Sequence, residues 1–410
     1  MIPVLIVAAL LILVLALLIH LSHIPLSYNF RSILRRPVGT FTTALGIGLT
    51  IAILIAALAL AEGFRNTLVS AGSKKNVLVL RKGADSEISS GIGLDATNII
   101  RSNPDVATGP GGRPMCSPEM VVVNNQKRIG QPGSSNVTLR GVDLDAVGVR
   151  TTTTIVDGRM FTPGSDEVVV GRKIAGRFEQ CRIGDELKFQ KRPFKVVGHF
   201  AAKGSAFESE IWGDAKVLMP VMHREGAFQV VTFRMKDPKR FPAIKKLLEA
   251  DPRLGVQVDR EDEFFAEQSK TLTGLLQGVG IFLTVIMSVG ALFGAANTMF
   301  ASVGSRTREI ATLLVLGFRP WAVMLSFVIE SVIIALIGGA IGCLLALPIN
   351  GLTTGTTNFQ SFSEVAFSFR VTPLSLVIGM LVAGMMGVFG GLLPAFGAAR
   401  QSLASALRKG

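Results

Sequence analysis

Long apolar runs frame one polar block in this chain. Five runs, residues 2–21, 40–61, 272–300, 322–349 and 373–398, are long enough to cross a membrane, since a helix needs about 20 predominantly apolar residues to span a hydrocarbon core of roughly 30 Å. Between the second and third runs the pattern shortens. Strand-like stretches at 76–80, 119–123, 137–139, 167–170, 194–197 and 230–233 are separated by Gly, Pro and Asp, with helix-period patches at 95–101, 172–179 and 241–250. A block of this kind predicts an α+β domain, or two small subdomains, with its own core. Within it, residues 183–200 (IGDELKFQKRPFKVVGHF) read as two strands around a basic turn. Residues 259–271 are polar and helix-favouring and enter the third apolar run without a breaker, which predicts a stalk helix. The fold class is therefore an integral membrane α-helical protein of about five spans with an inserted α+β extracytoplasmic domain.

Composition sharpens this. With 49% hydrophobic residues, 17% charged residues and a mean hydropathy of +0.48, the composition argues against an ordinary cytosolic enzyme. A net charge of +13 invites a nucleic-acid reading. However, 32 basic and 25 acidic residues lie between 65 and 270, and most of the other basic residues flank the apolar runs. Arg31/Arg35/Arg36, Arg306/Arg308/Arg319 and Arg400/Arg408/Lys409 all fall on the cytoplasmic side if the chain begins outside and ends inside. That is the charge asymmetry of a membrane protein, not a nucleic-acid footprint. The block from about 64 to 270 and the short loop 350–371 then lie outside the cytoplasm. Residues 26–37 (LSYNFRSILRRP) space Leu26, Phe30, Ile33 and Leu34 as an amphipathic interfacial elbow before Pro37 turns the chain into the membrane. The first run has no basic n-region and no small-residue cleavage site before His20, so an uncleaved span fits better than a signal peptide.

Catalytic patterns are missing. His20, His23, His199 and His223 have no zinc-ligand spacing, so no metal site is expected, and neither Gly-x-Ser-x-Gly nor GxxxxGK[ST] occurs. Glu208, Glu210 and Asp214 gather near Trp212, which reads as a solvated loop. Cys116 and Cys181 share the outer block, which leaves a disulfide open. The spans carry little polarity beyond Glu330 and Asn297, expected to be joined by a structural hydrogen bond. Glycines four apart, Gly274/Gly278, Gly290/Gly294, Gly338/Gly342 and Gly387/Gly391, predict close helix packing. Five clean spans make half of a transport pathway, which predicts a homodimer or a paired permease.

Residues 297–321 (NTMFASVGSRTREIATLLVLGFRPW) are the most informative. A span ends, a polar turn carries Arg306, Arg308 and Glu309, and Ile310, Leu313, Leu314 and Leu316 form an apolar stripe before Gly317. A short amphipathic helix of this kind suits a groove on a partner domain. Together with Glu330-Ser331 and Gly338-Gly339, this segment resembles the FtsX/MacB-type ABC permease domain. Residues 45–64 (LGIGLTIAILIAALALAEGF) resemble that family's first core span, and the block that follows resembles its periplasmic core domain.

The resemblance implies a mechanotransmission permease. Its parts would be an extra N-terminal span (1–22), a cytoplasmic elbow (23–39), a span (40–63), a periplasmic core domain (64–270) and an FtsX-like domain of three spans (271–410). A coupling helix at 302–317 would engage a separate ABC ATPase that binds ATP and Mg, so this chain holds no cofactor. The coupling role is carried onto Ser302, Arg306, Thr307, Arg308, Glu309, Ile310, Leu313, Leu314 and Gly317. The family commonly has Glu in place of Ser305 and Gly in place of Ala311. Expected surroundings are membrane lipid of the bacterial inner membrane, a periplasmic adaptor and an outer-membrane duct. Lipoprotein extraction of the LolC/LolE type and FtsX-like signalling to a cell-wall hydrolase are the alternatives.

Overall fold

A computed structural model describes residues 31, 33–130, 132–143 and 146–399. The first apolar run, most of the elbow and the C-terminal basic cluster lie outside the described residues. Chain contacts divide the protein into a helical unit drawn from residues 1–62, 274–352 and 369–410 and an α+β unit drawn from 63–273 and 353–368.

Among the described residues, four helices are long and apolar enough to cross a membrane. They begin where sequence chemistry favours a start. The first, α1 (Pro37–Val69), opens on a proline, whose missing N–H costs nothing at a helix N-terminus. Within the α+β unit, helices of at least eight residues are α2 (Leu94–Arg101) and α3 (Phe241–Ala250). The stalk, α4 (Glu261–Ser305), carries Glu261, Asp262 and Glu263 in its first turn, complementing the helix dipole. It is followed by α5 (Thr307–Val315), α6 (Pro320–Ala346) and α7 (Pro373–Ala399).

Glycine sets the closest approaches in the helical unit. A Cβ on Gly338 would lie 2.5 Å from the carbonyl oxygen of Ala44, and one on Gly342 2.5 Å from that of Gly48. On α7, Gly387 and Gly391 leave 2.7 Å and 2.5 Å to Val332 and Ser331 of α6, and the Ser331 hydroxyl donates to the Gly387 carbonyl at 2.7 Å. The other two expected packing pairs are different. A Cβ on Gly274, Gly278, Gly290 or Gly294 would meet nothing within 4 Å, because α4 turns much of its apolar surface away from the described helices.

The α+β unit is built on β1 (Asn76–Arg81), β3 (Cys116–Lys127), β4 (Ser134–Val142), β5 (Thr154–Gly158), β6 (Glu167–Gly171), β7 (Glu186–Phe189), β8 (Arg192–Ala201), β9 (Glu210–Asp214), β11 (Val230–Arg234) and β12 (Val256–Arg260). Their order is β12-β1-β11-β3-β4-β9-β6-β8-β5, with β7 paired to β8. Short β2 (Ile92–Gly93) and β10 (Ala227–Phe228) pair separately. The expected hairpin at 183–200 is β7-β8, closed at Phe189↔Arg192.

Two cores result. Val77, Val79, Phe233 and Val258 pack with Ile100 of α2 and with Ile244 and Leu248 of α3. Val122, Leu139, Val170, Phe189, Phe194 and Ile211 form the other. Cys116 lies in the first core and Cys181 in the second, and no disulfide joins them.

Strand alternation also builds the reverse face of β3, β4 and β9. Register places Arg140 opposite Val121 and Trp212, and Thr138 opposite Glu210. With a period of two, Glu119, Arg140, Glu210 and Trp212 share one face while Met120, Leu139 and Ile211 face the core. Arg140, 1% exposed, pairs with Glu210 at 2.7 Å, Glu119 at 2.7 Å and Glu87 at 2.9 Å. Arg150 pairs with Glu119 at 2.7 Å and with Glu261, the first residue of the stalk, at 2.9 Å. The Trp212 indole donates to Glu210 at 2.7 Å, and Phe207 lies under both guanidinium groups. The expected solvated loop is therefore a buried ion cluster: Glu208, Glu210 and Asp214 are all buried.

Charges in this cluster are unequal in environment. Burial opposes ionisation of Glu119, but Arg150 and Arg140 outweigh it and hold the carboxyl below its ordinary value. Burial prevails at Glu210, where the carboxyl stays above its ordinary value despite Arg140, and Glu87 adds to the rise. A depressed carboxyl stabilises the fold above the unfolded value of about 4.3 and loses that contribution as pH falls through the folded value. A raised one does the reverse. At neutral pH, Glu119→Gln should thus cost about 3 kcal/mol and Glu210→Gln markedly less, with the Glu119 contribution fading in acid. Thermal unfolding of the full chain in detergent, followed by Trp fluorescence, checks this, and equal losses at pH 7 would refute it.

Candidate functional site

The polar turn after α4 folds around an ion cluster. At Arg306 the helix breaks, with φ −114° and ψ 19°, and α5 follows at an angle that lets the Arg306 side chain turn inward. Its guanidinium pairs with Glu330 of α6 at 3.0 Å and with Glu309 at 3.0 Å, and lies 5.5 Å from the Phe327 ring. Arg306 is 8% exposed and Glu330 3% exposed. Arg35, from the end of the elbow, reaches Glu309 at 3.6 Å. A carboxylate within an apolar helix is costly alone, and Arg306 supplies its counter-charge. The expected Glu330–Asn297 hydrogen bond is not formed: Asn297 is exposed on α4, and Arg306 takes the carboxylate.

The coupling segment is shorter than 302–317. Ser302 is buried in the last turns of α4, and the separate helix covers only 307–315. Gly317, with φ +93°, closes it. The Gly317 N–H reaches the Leu314 carbonyl at 3.2 Å and the Phe318 N–H reaches that of Leu313 at 3.1 Å, a Schellman cap that needs a left-handed residue. Three of the four residues of the apolar stripe face inward, and Leu316 does not. Ile310 is buried with Met299, Val303, Val323 and Phe327, and Leu313 and Leu314 pack against that cluster. Thr307 and Glu309 are partly exposed, while Arg308, Thr312, Val315, Leu316 and Arg319 form the open side. Of the predicted contact residues, Arg308 and Gly317 are exposed, and of these only Arg308 presents a side chain. Val315 (65% exposed) and Leu316 (70% exposed) are its apolar part, and the sequence pattern did not separate them from the inward positions.

A second junction lies within the α+β unit and is not among the sequence expectations. The 350–371 loop carries a hairpin of β13 (Thr353–Thr357) and β14 (Glu364–Ser368), and residues 353–368 belong with the α+β unit, not with the FtsX-like spans. Buried Glu364 pairs with Arg177 at 2.6 Å and also with Arg128. Thr138 donates to the Ser363 hydroxyl at 2.8 Å, Ser209 accepts from the Ala366 N–H at 2.9 Å, and Phe367 meets Phe64 edge-on. A usable signal was present: outside residues 65–270 the chain has only four acidic residues, Glu62, Glu309, Glu330 and Glu364.

Among the described residues, four membrane-length helices, an α+β domain inserted between the first and second, and a capped amphipathic helix between the second and third define a membrane permease with an extracytoplasmic domain. Residues 40–251 match the MacB-like periplasmic core domain and residues 281–403 the FtsX-like permease C-terminal domain. The chain belongs to the FtsX/MacB-type permease family. Among its relatives are the macrolide export ATP-binding/permease proteins MacB of Bdellovibrio bacteriovorus (25% identical, 93% of this chain, 61% of the relative) and Chlorobium phaeobacteroides (29%, 92% and 60%). The chain thus spans about three fifths of their length. The periplasmic region of MacB from Actinobacillus actinomycetemcomitans aligns with 49% of this chain and 95% of its own at 14% identity and a TM-score of 0.36.

Two outcomes follow. Arg306→Met or Glu330→Met alone should cost about 3–5 kcal/mol by stranding a buried charge, whereas the double variant should recover most of the loss. Additive losses in detergent unfolding would dismiss the clamp. Cysteines at both Thr138 and Ser363 should oxidise to a disulfide in the full chain, detectable as a gel shift reversed by reductant, and persistent free thiols under oxidant would contradict the docked hairpin.

Proposed function

We propose that this chain is the membrane subunit of an ABC exporter in the bacterial inner membrane, paired with a second permease copy or homologue and working by mechanotransmission. A separate ATPase supplies the ATP and Mg chemistry. It engages the open side of α5, and its closure moves α5 and, through the Arg306 clamp, α6. The observation that carries the reading is the continuity of α4, which starts at Glu261 inside the ion cluster of the α+β unit and ends at Ser305 beside Arg306. A helix anchored by charge at both ends is suited to pass displacement along its axis. The described spans carry few polar side chains, which favours a lever over a pore, so cargo is handled on the outer side and passed to a periplasmic adaptor and an outer-membrane duct.

The docking face is testable. Arg308→Glu combined with Leu316→Asp should abolish co-purification of an ABC ATPase with the C-terminally tagged chain from gently solubilised membranes, while Ile310→Val should leave it intact. Undiminished recovery of the ATPase with the double variant would reject this docking face. A co-purifying lipoprotein or cell-wall hydrolase in place of an adaptor would redirect the function to extraction or signalling.

A further inference from the structure

Beside the first turns of α4, the α+β unit opens a cleft of about 570 Å³. That volume is in the range of sites for small organic ligands, roughly 300–1,000 Å³. Its walls come from four separate pieces of chain: the loop after β1, strand β12, the start of α4 and the tip of the β13-β14 hairpin.

The charged groups lining the cleft are all acidic: Asp85, Asp259, Glu263 and Glu267. Three of them have cations on their outer sides. Lys245 reaches Asp259 at 3.0 Å, Arg260 reaches Glu263 at 3.7 Å, and Lys270 pairs with Glu267. None of these cations lines the cleft, and Asp85 has no cation partner among the described residues. The ring of Phe264 is braced edge-on against Phe265 at 5.4 Å and lines the same space. Helical spacing puts Glu263, Phe264, Glu267 and Gln268 on one side of α4.

Two amides give the independent sign of a ligand. Gln257 is satisfied at both ends, accepting from the Gly83 N–H at 3.0 Å and donating to the Ala84 carbonyl at 2.9 Å. Gln268 is 7% exposed, lines the cleft and has no side-chain hydrogen-bond partner among the described residues. Gln360 Oε1, on the hairpin side, is likewise buried and unpartnered. A buried amide oxygen without a partner is expensive, and Gln360 Oε1, with the unpartnered Gln268 side chain bordering the same acidic cleft, marks where a ligand's polar end would sit. Gln268 also borders the small inner cavity lined by Glu87 and Glu210, where four carboxylates face only two guanidinium groups in the buried cluster. The field from that surplus favours a positive guest. Carboxylates are not grouped for a metal ion: no three metal-ligating side chains converge among the described residues.

We propose that this cleft binds an organic cation, a protonated amine or quaternary centre on an aromatic or alicyclic body, with the charge among Asp85, Glu263 and Glu267 and the body against Phe264. Its role as a cargo site rests on the export reading; binding itself does not. A guest here touches the stalk, the sheet edge and the hairpin together, so occupancy bears on the element proposed to carry the stroke.

The test uses the full chain in zwitterionic lipid nanodiscs, without the ATPase. Tetraphenylphosphonium uptake is measured with a cation-selective electrode, and tetraphenylborate, of the same shape and opposite charge, is measured by dialysis. The expected result is saturable binding of the phosphonium above empty nanodiscs, weakened about fivefold by Asp85→Asn with Glu267→Gln and about threefold by Phe264→Leu, and unchanged by Glu225→Gln on another exposed segment. Equal saturable uptake of the borate, or phosphonium binding indifferent to the double variant, would overturn the site. Displacement of the phosphonium by low-millimolar calcium alone would overturn it in favour of a metal site. Because no ATPase is present, failure here leaves the export reading standing, and loss of ATPase association leaves this binding standing.

Discussion

Two buried guanidinium groups hold the α+β unit together. Arg140 and Arg150 lie on a sheet face that would otherwise need apolar cover, and each is neutralised by carboxylates from separate segments: the loop after β1, strands β3 and β9, and the first residue of the stalk. Removing charges from water is costly, and the cost is offset only when geometry and hydrogen bonding are nearly complete. Here the indole of Trp212 and the ring of Phe207 complete the shell. Such a cluster is not a cheap route to stability compared with an apolar core. Its effect is on placement, because Glu261 satisfies Arg150, Asn76 and the Ser73 N–H together and only one position of the stalk's first turn allows that.

The helical unit solves a different problem with different means. Lipid offers no hydrophobic drive between helices, so close approach must come from small residues and local polar bonds. Gly338 and Gly342 admit the backbone of α1, and Gly387 and Gly391 admit α6. A single ion cluster, Arg306 with Glu330 and Glu309, fixes the bend between α4 and α5. The same glycine spacing on α4 leads to an open face. Spacing alone states that a backbone can approach, not that this chain provides the neighbour.

Legibility followed the same division. Spans and strands announced themselves through periodicity, and the stalk through the lack of a breaker, because these are local properties of the chain. Four membrane-length helices agree with the runs from residue 40 onward, and β1, β6, β11 and α3 fall within a residue of their expected bounds. Partners were harder. In sequence Glu210 reads as solvated because its counter-charge is 70 residues away, and Glu330 reads as paired with Asn297 because both lie in apolar helices, whereas the bend at Arg306 brings in a residue from the loop. The hairpin at 353–368 was hidden by its brevity. Its strands, TTGTT and EVAFS, alternate too weakly to outweigh the apolar runs on either side.

The inward turn of the α5 stripe changes what a coupling helix can do. Had Ile310, Leu313 and Leu314 faced outward, the helix would be a detachable peg held by its partner. Instead these side chains are part of the permease core, so α5 is rigidly tied to α4 and α6 before any partner arrives, and only Arg308, Thr312, Val315 and Leu316 remain to be gripped. On the proposed function, the consequence is mechanical. A small open face limits resting affinity for the ATPase, while the buried clamp ensures that displacement of that face moves α6 and the end of α4 together. Weak grip and stiff transmission are then compatible, because grip resides in exposed side chains and stiffness in the buried Arg306–Glu330 pair.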